Sequence, residues 1–124
     1  MNNFVYAADT NYNKQLFYSI YSLLNNTDTN LSLHIIHKEP ETFKQYITKL
    51  QNSFNNFSIN LHKFDFKDIQ FPNIKNRHVS EATYYRLFIE YIIPKDIENY
   101  IYLDADIIVI NNFDEYVNEI ISEL

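Results

Sequence analysis

An open, mostly parallel α/β sheet with helices on both faces is the fold this sequence predicts. Short β-branched and aromatic runs alternate with amphipathic ones in the order β-α-β-α-β-α-β-α, and parallel strands need crossover helices of that kind. The length of 124 residues suits one domain with one core. Apolar residues at 46% and aromatics at 17% supply that core and exclude a disordered chain.

The first strand is "NFVYAA", Asn3 to Ala8. "NKQLFYSIYSLL" follows as a helix from Asn13, a candidate cap, to Leu24. Its apolar stripe is Leu16, Ile20, Leu23 and Leu24. "LSLHIIH", Leu31 to His37, is the second strand. Pro40 suits a first helical turn, and Phe43, Ile47 and Leu50 mark the inner face of the helix after it. "FSINLHKF", Phe57 to Phe64, alternates as the third strand. "SEATYYRLFIEYI", Ser80 to Ile92, is strongly helical and is stopped by Pro94. "YIYLDADIIVI", Tyr100 to Ile110, reads as the fourth strand. "DEYVNEIISEL" closes as a helix with Val117, Ile120, Ile121 and Leu124 inward. Strand carboxyl ends hold the ligands of such folds, so "ADTNY" and "DAD" are the candidate site segments.

Composition narrows the function. The formal net charge is −6 and basic residues are scattered singly, so nucleic acid is not an expected partner. Cysteine is absent, which excludes disulfides and thiolate metal sites. Glycine is absent too, which removes the dinucleotide fingerprint and the phosphate-binding P-loop. The 17 asparagines are read as coding bias. The first ten residues lack a signal-peptide pattern, and no stretch approaches the ~20 apolar residues of a transmembrane segment. A cytoplasmic location is the expectation.

Asp104 and Asp106 sit in an apolar run with only Ala105 between them. On a continuous strand they would share one face, roughly 6.6–6.8 Å apart. Their repulsion would cost on the order of 2–3 kcal/mol at an effective dielectric of ~20. A divalent cation removes that cost, and hard oxygens suit Mg²⁺, Mn²⁺ or Ca²⁺. The bland alternative ends the strand at Leu103 and leaves two ordinary loop carboxylates. The resumption of "IIVI" after Asp106 favours apolar surroundings over an open loop.

Three blocks, "FVYAADTNYNKQLFYSIYSLL", "HVSEATYYRLFIEYIIP" and "IYLDADIIVINNFDE", together resemble the amino-terminal half of glycosyltransferase family 8. That family includes glycogenin and bacterial lipopolysaccharide galactosyl- and glucosyltransferases. The resemblance implies a GT-A fold, a Rossmann-like, mostly parallel sheet with flanking helices, truncated here. Residues 1–124 would be its nucleotide-sugar-binding part. It implies a retaining, Mn²⁺-dependent (or Mg²⁺-dependent) transfer of a hexose from a UDP-sugar to a glycan or lipid-linked saccharide, as in lipopolysaccharide biosynthesis. Asp104 and Asp106 would bind the metal. Ala8, Asp9, Asn11 and Tyr12 would form the nucleotide loop, with Asp9 accepting from the uracil imide and Tyr12 stacking on the base. Ala105 would face the ribose, and Arg86 the donor sugar or diphosphate. Family members run to about twice this length, and their later half carries a third metal ligand, a diphosphate lysine and the acceptor pocket. The expectation is therefore a chain inactive by itself, which self-associates or pairs with a complementary carboxyl-terminal fragment. Two rivals stand beside this reading. One is a non-catalytic remnant that binds nucleotide or a partner. The other is a haloacid-dehalogenase-type phosphatase, with Asp104 as nucleophile, although that pattern prefers its motif on the first strand.

Overall fold

The computed structural model describes residues 2–64, 89 and 93–123. Strand β1 spans Asn2–Ala8, helix α1 Asn13–Asn25 and strand β2 Leu31–His37. Helix α2 covers Lys44–Ser53, and strand β3 covers Phe57–Lys63. Strand β4 is Ile101–Tyr102 and helix α3 is Asp114–Ser122. Single 3₁₀ turns, Thr10–Tyr12 and Pro40–Phe43, lead into α1 and α2. Of the expected helix Ser80–Ile92, only Ile89 is described; it is helical and buried. The rest of that expectation, Arg86 included, lies outside the described residues. No helix among the described residues is long and apolar enough to cross a membrane.

The four strands form one sheet in the order β3-β2-β1-β4, with every pairing parallel. The expected parallel α/β architecture is thus what forms. Period-2 alternation sorts the side chains of β1 onto two faces. Phe4, Tyr6 and Ala8 join a core with Leu16, Ile20, Leu33, Ile35, Phe43, Leu50 and Val117, so α1, α2 and α3 cover that face. Val5 and Ala7 point the other way and pack with Ile36, Phe64, Ile89 and Ile93. A central strand buried on both sides must be apolar throughout, and Phe4 to Ala8 are all buried. Each large aliphatic or aromatic side chain so buried contributes about 1.5–3 kcal/mol. The buried Tyr6 hydroxyl is satisfied by Ser19 Oγ at 3.0 Å, and burial pushes its phenol pKa up.

Three local expectations are corrected. Asn13 does not cap α1: it is buried inside the first turn, and Asp9 caps the preceding 3₁₀ turn instead, accepting from Asn11 N–H at 2.9 Å. Ile120 is 39% exposed on α3, because Val117 and Ile121, one turn apart, hold the inward line. Most consequentially, the fourth strand is not eleven residues long. It stops at Tyr102, with one further ladder bond from Leu103 N–H to Val5 O at 2.9 Å.

Candidate functional site

Beyond Leu103 the chain leaves the sheet and turns. Ile107 N–H donates to Asp104 O at 3.2 Å, closing a tight turn over Asp104-Ala105-Asp106-Ile107. Both aspartates are exposed, whereas Ala105 is half-buried against the α1/α2/α3 core. The expectation of two carboxylates on one face of a buried strand is therefore corrected, and the loop alternative is the one realised. The apolar surroundings expected from "IIVI" are corrected with it: Ile108 is 54% and Ile110 79% exposed. Electrostatics gives the reason. A turn lets two like charges face water, whose dielectric weakens their repulsion several-fold relative to a protein interior.

What replaces the β ladder after the turn is helix α1. Ser22 Oγ accepts from Val109 N–H at 2.9 Å while donating to Ser19 O at 2.7 Å. Asn26 Nδ2 donates to Val109 O at 3.0 Å and to Ser22 O at 2.8 Å. Two side chains thus satisfy both backbone groups of Val109, which a strand partner would otherwise do. Slightly further on, Asp114 accepts from the Thr27 hydroxyl, and from Asp28 N–H at 2.8 Å. That carboxylate belongs to the fold, locking the start of α3 to the α1–β2 loop.

The other half of the site follows β1. Ala8 ends the strand, buried. Asp9 is half-buried, while Thr10, Asn11 and Tyr12 are exposed, Tyr12 at 46%. Tyr12 N–H returns to Asp9 O at 3.0 Å. Because β1 and β4 are parallel neighbours, with Phe4 opposite Ile101 and Val5 opposite Tyr102, their carboxyl ends open on the same edge. Chain order reverses there: β2 and β3 lie on one side of β1, and β4 on the other. Parallel sheets bind ligands in the crevice at such a switch point. The structure thus brings Ala8, Asp9, Asn11 and Tyr12 to the same sheet edge as Asp104, Ala105 and Asp106.

Hard carboxylate oxygens on an acidic chain, exposed and held in a closed turn, fit a Mn²⁺- or Mg²⁺-type cation. Among the described residues no group of three or more His, Cys, Asp or Glu side chains is placed to hold a metal. Asp104 and Asp106 would supply two ligands, leaving the rest of the shell to other donors.

One supporting network escaped the sequence reading. His37 closes β2, buried, and accepts at Nδ1 from Glu39 N–H at 2.8 Å. Its Nε2–H therefore donates to Asn13 Oδ1, 2.7 Å away. Asn13 Nδ2 in turn donates to Thr42 Oγ1 at 3.0 Å and Thr42 O at 3.3 Å. This neutral tautomer ties the loop after β1 to the segment after β2. Burial lowers the His37 pKa, against the opposing pull of Glu39, Asp9 and Glu41. The signal was present: odd positions Leu31, Leu33 and Ile35 point to the core, so His37 had to point there too, at the strand end that bears the site.

Comparison with known proteins agrees with this fold. The model of the family "Glycosyl transferase family 8" matches residues 3–122. A probable galacturonosyltransferase-like 4 of Arabidopsis thaliana is 26% identical over 120 residues, covering 88% of this chain and 32% of its own length. An active-site mutant of LgtC superposes with a TM-score of 0.73 at 26% identity, over 92% of this chain and 41% of that one. The galactosyltransferase LgtC in complex with donor and acceptor sugar analogs aligns at 24% identity, with a TM-score of 0.68 and the same coverage. It bears on the fold alone, as does the bifunctional glycosyltransferase WbbM at 20% identity and a TM-score of 0.70. The chain spans about a third of its curated relative and two fifths of LgtC. With the family model matched over residues 3–122 and the parallel sheet superposing on LgtC, the chain belongs to glycosyltransferase family 8.

Proposed function

We propose that this chain is the donor-binding part of a retaining glycosyltransferase that moves a hexose from a UDP-sugar to a glycan or lipid-linked saccharide, with Mn²⁺ (or Mg²⁺) bound at Asp104 and Asp106. The observation that carries this reading is the convergence of the Asp9–Tyr12 loop and the Asp104–Ile107 turn at the switch point between β1 and β4. When bound, the cation would neutralise the diphosphate and stabilise it as leaving group. The chain's own residues do the positioning. Tyr12 offers an exposed ring for base stacking. Asp9 keeps one carboxylate oxygen on Asn11 N–H, which leaves the other for an imide donor. Asn11 presents a side-chain amide, and the small Ala105 lets a ribose approach the backbone. Arg86 is proposed against the diphosphate or donor sugar from sequence position alone.

We also propose that these 124 residues bind donor without transferring sugar by themselves. Transfer needs donor carbon, acceptor hydroxyl and diphosphate held together, and the described residues supply only the donor wall. Pairing with a complementary fragment, or self-association, is proposed to supply the acceptor side; a cytoplasmic location stays within the same proposal. The phosphatase reading loses its basis, since the paired aspartates follow β4 rather than the first strand and the family is another one.

Calorimetric titration of UDP into the chain, with Mn²⁺ and then with EDTA, tests the site. Metal-dependent binding is expected, weakened about tenfold or more in Asp104→Asn and in Asp106→Asn and unchanged in Glu115→Gln. Equal affinity in EDTA would overturn the reading. A radiolabelled UDP-glucose and UDP-galactose assay tests the second proposal; Mn²⁺-dependent turnover by the monomer would refute it.

A further inference from the structure

We propose that the groove between the start of α1 and the Pro40–α2 segment is a saccharide-binding site, with the Tyr18 ring as its platform. The groove is an open cavity of about 640 Å³. Tyr18 and Tyr46 line it together with the side-chain amides of Asn11, Gln15 and Gln45 and the Lys14 ammonium. Tyr18 is 60% exposed, and its ring lies T-shaped to that of the adjacent Phe17 at a centroid distance of 5.6 Å. Tyr46 is wedged further, with Phe43 stacked at 5.4 Å, Phe17 at 5.5 Å and Lys49 Nζ 5.4 Å above its ring. Tyr46 therefore forms a packed wall of the groove, while Tyr18 is the exposed ring beside it. A wall fixed in advance spares a ligand part of the ordering cost of binding.

The chemistry of the lining selects the occupant. A pyranose presents an apolar C–H face and a rim of hydroxyl groups. A tyrosine face matches the first. Amides that both donate and accept match the second. Among the described residues no carboxylate lines the groove and Lys14 is its one charged group, although the chain carries a formal net charge of −6. A single lysine is too little for a polyphosphate or nucleic acid, which requires several cations. The flanking strands β1 and β2 are paired along their full length, so no free strand edge is offered to an extended peptide. At one end the groove meets the loop after β1 through Asn11, but its floor is separate from the paired aspartates. The proposal stands without nucleotide or metal.

The test is a titration of ¹⁵N-labelled chain with lactose and with maltotriose, in EDTA and without nucleotide. Shifts at the side-chain amides of Gln15 and Gln45 are expected with either sugar. Tyr18→Ala should weaken binding about tenfold, the worth of one aromatic platform. Tyr18→Phe should keep it, and so should Tyr116→Ala, which removes an exposed ring outside the groove. Asp104→Asn should bind sugar as the parent does, which separates this site from the donor site. Silence of both glutamine amides at tens of millimolar sugar would overturn the proposal. Equal affinity in Tyr18→Ala, with unchanged far-ultraviolet circular dichroism, would overturn it too.

Discussion

Three histidines make the fold acid-sensitive, each through its own contacts. His37 needs an unprotonated Nδ1 to accept from Glu39 N–H. His34, buried on the opposite sheet face, stacks on His62, with His34 Nδ1 3.4 Å from His62 Nε2. Burial lowers the pKa of His34, the His62 charge adds to that, and Asp96 opposes it. Burial lowers His62 as well, and burial outweighs the carboxylates around His37. The native values thus lie below the unfolded reference of about 6.5. A depressed native pKa means the unfolded state binds protons first as pH falls. The stabilisation is whole above pH ~6.5 and is lost as pH drops through the native values. Melting temperature should hold between pH 8 and 7 and fall below pH 6.5. His37→Gln, which keeps an amide donor and acceptor, should flatten part of that slope; an unchanged slope would contradict the role given to His37.

At the scale of elements, the site depends on side chains that stand in for secondary structure. Val109 is fastened to α1 by Ser22 and Asn26 rather than by a strand. Removing either partner strands a part-buried backbone group, at about 1–3 kcal/mol. Ser22→Ala and Asn26→Ala should each lower stability in urea by that amount. Both should also loosen the Asp104–Ile107 turn, read as faster amide exchange at Ile107 and Val109. Asp114 works likewise at the start of α3, where it takes the Thr27 hydroxyl and Asp28 N–H. Asp114→Ala should cost about 1–3 kcal/mol in a denaturant melt, and Asp114→Asn, which keeps one acceptor, less. If Asp114→Ala instead abolished UDP binding with stability intact, Asp114 would belong to the site and not to the fold.

At the scale of the molecule, a core buried on both sides of β1 sits beside an apolar rim that is not buried. Leu50 is fully buried, so Leu50→Ala should cost 2–5 kcal/mol through lost transfer energy and the cavity left behind. Ile107, Ile108 and Ile110 are 38%, 54% and 79% exposed. Contiguous exposed apolar residues favour association, so light scattering should show concentration-dependent growth that Ile108→Ser with Ile110→Ser reduces. A monomer at every concentration would remove the support for self-association.

Local pattern settled much of this protein. Leu16, Ile20, Leu23 and Leu24 announced the buried face of α1 by spacing alone, and alternation of short strands with helices announced a parallel sheet. Both follow from the 3.6- and 2-residue periods, which any stretch of chain displays by itself. Motif order was enough to pick out the family. Tertiary structure decided where β4 ends. Asp104 to Ile110 has the composition of a strand, but solvating two like charges in a turn outweighed continuing the ladder, and Ser22 and Asn26, more than eighty residues away, met the backbone need. It also decided that Asp114 serves the fold, that Asn13 is a buried link and not a cap, and that His37 braces the loop at the site. Each of those roles rests on a partner distant in sequence, which no local window contains.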